Sequence, residues 1–363
     1  MSNTDGISAA AAAAAPFPPQ PLRFTGSGAE YFGIWIVNLL LTIVTIGIYS
    51  AWAKVRRLQY FYRHTELAGS SFDFHGNAVK ILIGRVLAVG MLLVYKFSVR
   101  LHSPVTLVIV VALLAMMPWL LRNSLRFRLY NTSWRGTRFH FRGSLAGAYR
   151  VFLLNGFLAV ITLYLMVPFA HQRLKAYQHG NSWFGRSPFA FGARAGQFYA
   201  VYLLLLGAMV GFAVIIGVSG IGGALLASIQ SQQRGGHVDP VAFAKAFLFV
   251  YAGLLLLSLS IGPLFHALIT NLIWNNTRLG EHRIECRISA PRLIWISVSN
   301  LVLVVLTLGL FIPWATVRMA RFQLESMRLL PAGDLQEFEA AEPELIGAVG
   351  EEAATAFDVD ISL

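Results

Sequence analysis

The sequence predicts an all-α, multi-pass membrane protein with about seven transmembrane helices, internal repeats, Arg-rich interfacial helices and small β-hairpins. Three observations predict it. Of 363 residues, 56% are hydrophobic and only 13% are charged, about half the charged share of a soluble domain. Apolar runs of about 17 to 25 residues recur, long enough to cross a hydrocarbon core of roughly 30 Å. A compound pattern, clearest in Asn38–Gly76, also returns along the chain: an apolar helix, a basic segment, then a short alternating segment.

Residues 1–21 are polar, then Ala-rich, then proline-rich, with no basic stretch before the alanines. They read as a disordered tail rather than a cleaved signal peptide. The repeat-built membrane domain spans 22–330. Its seven apolar segments lie at about Tyr31–Ser50, Val79–Phe97, Val105–Pro118, Val151–Val167, Phe198–Val218, Val241–Ile261 and Leu293–Ile312. Residues 331–363 carry nine acidic and no basic residues and read as a second disordered tail.

The repeat has a register. Ala51, Pro118, Pro168 and Pro263 each stand at the end of an apolar segment. Thirteen residues on are His64, Asn131, Asn181 and Asn276, followed at once by Thr65, Thr132, Ser182 and Thr277. At twenty-one stand Phe72, Phe139, Phe189 and Ile284, and at twenty-three Phe74, Phe141, Phe191 and Cys286. Four copies in register are not a chance pattern. Proline suits a first helical turn and Asn suits a left-handed helix end, so a helix of about three turns fits between them. Trp52, Trp119 and Trp314 near its start suit a bilayer interface. The alternating piece reads as a β-hairpin turning at Gly69, Gly136, Gly185 or Gly280, with Phe72, Phe74, Phe139 and Phe141 expected to be buried. Two fragments are left over. Pro313 opens a basic segment with no following hairpin, and Leu22–Gly26 looks like a hairpin end without a beginning.

Segments one, four and seven share a second register: Asn38/Thr45, Asn155/Thr162 and Asn300/Thr307. Residues seven apart lie two turns apart on nearly one helix face. These six are candidates for a polar path, with interhelical hydrogen bonds as the plainer reading.

The stretch Val37–Leu67 combines an N-L-L-L-T helix, a T-x-G-[IL]-[YF] end and an [AP]-W-A-x-x-R continuation, and Asn300–Arg321 repeats it. The pattern resembles the YjgN family of bacterial inner-membrane proteins over about Leu22 to Arg328. The resemblance implies a multi-pass protein of the bacterial inner membrane and supplies no catalytic residues. The middle copy departs from it, with Tyr164 where the glycine stands and Phe169 where the tryptophan stands.

The net charge is +12, and all 29 Lys and Arg residues precede residue 331. They cluster beside apolar helices, so anionic lipid headgroups are the expected partner and nucleic acid is not. Arg56, Arg57, Arg126, Arg128, Arg318 and Arg321 are the candidate headgroup contacts. No zinc, P-loop or nucleophile-elbow spacing is present; no catalytic, cofactor or metal site is expected, and the chain does not read as an enzyme. Cys286, the one cysteine, excludes an internal disulfide and reads as a packed, inert thiol. No Asp or Glu lies inside an apolar core, which argues against an ion-coupled pump. The expected function is transport or permeation of a small or amphiphilic solute. The alternative is a structural or lipid- and partner-binding scaffold of the envelope.

Two topologies compete. Seven crossings, with the carboxyl terminus cytoplasmic, fit the segment lengths. Making segments one, four and seven re-entrant fits the charge distribution better, because every hairpin then shares one side. Segment length favours seven.

Overall fold

The structure, a computed structural model, describes residues 17–100, 105–218, 223, 229–230 and 240–333. Its centre is a sheet, and this overturns the all-α, seven-span expectation. Strands β1 (Gln20–Pro21), β2 (Arg23–Phe24), β3 (Thr65–Leu67), β4 (Ser70–Phe74), β5 (Thr132–Trp134), β6 (Thr137–Phe141), β7 (Ser182–Phe184), β8 (Ser187–Phe191), β9 (Thr277–Leu279), β10 (His282–Cys286) and β11 (Met327–Leu330) form one antiparallel sheet. The expected small hairpins are not separate surface pieces. Each pairs with the next across an intervening helical excursion, as in Phe72↔Trp134 and Phe139↔Phe184.

The two leftover fragments complete the ring. β1 pairs with β11 (Gln20↔Leu329), β2 pairs with β3 (Phe24↔Thr65), and Leu22 N–H donates to Met327 O at 3.0 Å between them. One strand, Gln20–Phe24, thus pairs on both sides and curls the sheet into a nearly closed barrel. The fifth hairpin is split between the two ends of the domain. β1 takes in Gln20 and Pro21, the last two residues of the predicted amino-terminal tail.

The turns explain the hairpins. Ala68 and Gly69 (φ 48° and 75°), like Arg135 and Gly136 (49° and 77°), are both left-handed. That is the two-residue turn whose twist matches paired strands. Antiparallel pairing then sets every hairpin turn at one end of the barrel and every helix at the other.

From that helical rim rise α1 (Gly28–Val44) with α2 (Ser50–Arg63), α3 (Ala78–Arg100) with α4 (Val105–Tyr130), α5 (Leu145–Tyr149) and α6 (Asn155–Ile161) with α7 (Val167–Gly180), α8 (Ala195–Val218) with α9 (Pro240–Asn275), and α10 (Ala290–Leu306) with α11 (Ile312–Glu325). A π-turn over Arg150–Leu154 joins α5 to α6. Among the described residues four helices, α3, α4, α8 and α9, are long and apolar enough to cross a membrane. The three other excursions are shorter and turn back.

Their turns share one hydrogen-bond set. Thr45 Oγ1 donates to Leu41 O (2.7 Å) and accepts from Tyr49 N–H (2.9 Å). Gly47 N–H reaches five residues back to Thr42 O (2.7 Å), and Ile46 N–H three back to Ile43 O (3.1 Å). Thr162 and Thr307 repeat all of this. This is a Schellman closure, and it ends a helix that apolar length alone would extend. The left-handed positions are Ile46, Leu163 and Leu308, then Gly47, Tyr164 and Gly309. Tyr164 (φ 66°) does what glycine does elsewhere, at a cost of roughly 1–2 kcal/mol for an L-residue. Its side chain is 69% exposed, so Tyr164→Gly forfeits little packing. The variant should gain about 1 kcal/mol, read as a higher unfolding midpoint in detergent; a lower midpoint would show that the ring's contacts outweigh the strain.

Each basic helix ends in a side-chain cap. Thr65, Thr132, Ser182 and Thr277 hydroxyls donate to the carbonyl four residues back at 2.7–2.9 Å. Asn131, Asn181 and Asn276 amides do the same one residue earlier. These bonds satisfy carbonyls that a helix end leaves orphaned. Asn181 (φ −113°) is not left-handed, so the asparagines cap through their side chains, not their backbone. Pro168 and Pro313 open helices as expected. Pro118 and Pro263 lie inside α4 and α9, where no Thr-centred turn precedes them and the helix runs on.

The barrel lumen is lined by two five-membered rings from equivalent strand positions. Leu67, Trp134, Phe184, Leu279 and Leu329, none more than 9% exposed, form the ring at the turn end. Leu22, Phe72, Phe139, Phe189 and Ile284 pack on it. Phe74 and Phe141, 1% and 3% exposed, instead anchor the helices above them.

Candidate functional site

The helical side of the barrel holds two polar spaces. The first is a cavity of about 490 Å³ between α1, α2, α3, α4 and α11. On α2, Ala51 and Val55 pack against Phe74, which turns the next helix face, with Lys54 and Arg57, towards the cavity. Arg85 reaches in from α3, where it donates to Ser50 Oγ, and Arg128 reaches in from α4. Four cations therefore line this space, and among its described lining residues none is Asp or Glu. Asn38, 7% exposed, also lines it, and its Oδ1 has no partner. A buried, unpaired acceptor costs about 1–3 kcal/mol, so this wall is suited to a polar guest. Ser50, Ser124 and Thr316 add hydroxyls.

The second space, about 640 Å³, lies on the barrel axis between α2, α7, α9 and α11. His171, Lys175, His266 and Gln323, with Thr65 and Thr270, are its polar lining residues. His171 Nδ1 lies 3.0 Å from the Tyr202 hydroxyl, and Gln323 Nε2 lies 2.9 Å from His266 Nε2. Burial and the neighbouring Arg128 hold the Lys175 pKa down at about 8. Below it, His179 is 2% exposed; burial, then Lys175, pushes its pKa down to about 3.

The predicted ladder residues separate. Thr45, Thr162 and Thr307 hydroxyls are spent on their own turns. Asn38, Asn155 and Asn300 are each 7% exposed. Asn300 donates to Ala315 O and accepts from Arg318 at 3.2 Å, and only Asn38 of the six lines a cavity named above.

The predicted arginines also divide. Arg57 and Arg128 line the basic cavity. Arg56 lies over the Tyr49 ring at 5.9 Å, Arg126 is half-buried on α4, and Arg318 binds Ser299 and Asn300. Arg321 donates to Gly26 O at 2.7 Å. Sequence reasoning did not put Lys54 or Arg85 among the candidate contacts, and both line the cavity. The signal for Arg85 was a cation two turns inside an apolar helix, which needs a polar partner.

Cys286 is 1% exposed and burial raises its pKa to about 11, which makes it a poor nucleophile. Among the described residues no group of three or more His, Cys, Asp or Glu side chains is placed to hold a metal.

Comparison with known proteins adds family information. A family model described as "Bacterial protein of unknown function (DUF898)" matches residues 19–356. The chain is similar to a protein named inner membrane protein YjgN from Salmonella typhimurium strain LT2, 22% identical over 364 residues, covering 89% of this chain and 91% of that one. Proteins of the same name from Escherichia coli O157:H7 and K12 are 30% and 31% identical over 135 and 131 residues. Those stretches cover 37% and 36% of this chain, and 34% and 33% of the relatives. No solved structure matches.

Proposed function

The chain belongs to the DUF898 family of bacterial proteins, and from that premise we propose that it is a multi-pass inner-membrane protein that binds anionic lipid headgroups at the cytoplasmic leaflet. In this reading the chain is five copies of one unit, a helical excursion followed by a hairpin. α3, α4, α8 and α9 cross the bilayer. The three shorter excursions dip into it and return, and the barrel hangs on the cytoplasmic side as a binding scaffold, not an enzyme.

The observation that carries the proposal is the cavity with four cations and no carboxylate among its described lining residues. It lies where α1–α4 leave the barrel rim, the level at which lipid phosphates meet a helix bundle. Basic pockets between such helices suit anionic headgroups. Transport is supported less well. The threonines that would line a polar path are bonded to their own turns, and the barrel's turn end is blocked by five apolar side chains.

The test is retention of lipid by purified protein, followed by native mass spectrometry. Phosphatidylglycerol should be held in preference to phosphatidylethanolamine. A basic residue near the surface contributes about 1 kcal/mol, so the double variant Lys54→Gln, Arg57→Gln should lose roughly thirtyfold in that preference. Equal retention of both lipids, or no change in the variant, would refute the reading.

A further inference from the structure

Beneath the basic cavity lies a different kind of space. The barrel lumen holds an open pocket of about 250 Å³, room for roughly eight waters at ~30 Å³ each. Water is a poor occupant of its depth, because it needs two to four polar partners, and below Arg128, Thr132, His179 and Ser182 the wall is the two apolar rings described above.

The lumen is a cup, not a channel. The ring containing Trp134 and Phe184 closes the end at the hairpin turns. The other end opens among the helices, where Tyr62, Trp274 and Met327 line both the lumen and the 640 Å³ axial chamber. Polar groups gather at that mouth alone. Arg128 lines the lumen, and Lys175 lines the chamber directly above it. His179 lines the lumen too, and its Nε2 is buried without a partner. Among the described residues no Asp or Glu lines either space. An apolar blind cup with a basic rim complements one ligand chemistry, a single apolar chain with a negative head.

We propose that the barrel binds one acyl chain inserted from the membrane side, its tail in the ringed lumen and its anionic head at Lys175 and Arg128. The head is a fatty-acid carboxylate or a lysophospholipid phosphate, which share the required charge. His179 Nε2 meets the head directly or through a water, and its tautomer follows that partner. This site shares Arg128 with the basic cavity between α1 and α4, while the two linings otherwise differ, so variants at Lys175 and at Lys54 with Arg57 test the two separately.

The experiment uses the full chain in phosphatidylcholine nanodiscs with two photoactivatable probes, a diazirine-bearing hexadecanoic acid and the matching lysophosphatidylglycerol. Irradiation followed by peptide mapping should place saturable adducts on Phe139, Phe189 or Ile284. Lys175→Gln should raise the concentration for half-labelling at least tenfold. Ile284→Trp, which fills the lumen, should abolish strand labelling while leaving adducts on the exposed Leu203 and Leu204 of α8. Should Ile284→Trp not fold, Leu22→Phe narrows the same space by a smaller step. The probe that labels the strands at lower concentration identifies the head. Labelling confined to outward-facing helix residues, or strand labelling unchanged in a folded filled-lumen variant, would overturn the proposal.

Discussion

Deleting residues 17–25 should leave no folded protein in the membrane, while a matched deletion ending before Phe17 should leave the yield unchanged. Gln20–Phe24 is the one strand that joins both ends of the domain. Its loss removes the pairs Gln20↔Leu329, Pro21↔Arg328, Arg23↔Glu66 and Phe24↔Thr65 together. It opens β11 and β3 as two adjacent edges, the arrangement that invites misassembly. It also takes Phe24, 4% exposed, out of a cluster in which its ring stacks on Phe61 at 5.7 Å. Truncating such a phenylalanine alone costs about 3–5 kcal/mol, against a typical whole-domain stability of 5–15 kcal/mol. Phe24→Ala should therefore lower the unfolding midpoint sharply but leave some folded protein, and the nine-residue deletion none. Monodisperse material with an unchanged melting profile after deletion would mean that the barrel does not need closure.

Much of this was visible in the linear pattern, and the losses have physical causes. The offsets of Thr65, Phe72 and Phe74 and their counterparts marked four copies of the unit, but they did not single out the ring of Leu67, Trp134, Phe184, Leu279 and Leu329, nor the Thr and Ser hydroxyls as the helix caps. Their spatial sum was not visible. β4 pairs with β5 across more than fifty residues, and no local propensity encodes a partner that far away. The split hairpin was hidden for the same reason, since its halves stand some three hundred residues apart. The count of spans failed on a finer point. Apolar length reports where lipid is tolerated, not where a helix ends. The end lies in Thr45 and its counterparts, and in non-glycine left-handed residues such as Ile46 and Leu308 that no composition rule flags. At the basic cavity, Arg57 and Arg128 were legible as charges beside apolar helices. Asn38 was legible only as half of a ladder, because its partner in sequence, Thr45, faces its own turn. Lys54 and Arg85 belong to the cavity only because α2 and α3 meet there.

Cysteine labelling should show every hairpin on one side of the membrane. In a Cys286→Ala background, a membrane-impermeant maleimide added to intact spheroplasts should react with Arg100→Cys, at the far end of α3. It should reach Ser71→Cys, Arg186→Cys and Glu281→Cys, all exposed at the turn end of the barrel, only after lysis. The barrel requires this, because antiparallel pairing sets all hairpin turns at one end and returns every excursion to one rim. Charge agrees. Of the 29 Lys and Arg residues, only Lys96, Arg100, Arg234 and Lys245 fall at or between the far ends of the long helix pairs, and a basic excess marks the cytoplasmic side. In the proposed topology the three short excursions end inside the bilayer, and their tips are built to suit it. Irregular backbone in hydrocarbon must satisfy its own polar groups, and at each tip the six amides from Thr45 to Ser50, or their counterparts, all donate within the turn. The side chains outside are apolar, with Ile46 and Leu308 each 95% exposed. From Ile34 to Ile46 the helix descends about 18 Å at 1.5 Å per residue, close to half of a roughly 30 Å core. A tip at that depth is the geometry of a dip and return. Labelling of Arg186→Cys or Glu281→Cys in intact spheroplasts would require the excursion before it to cross, and so would break the barrel as described.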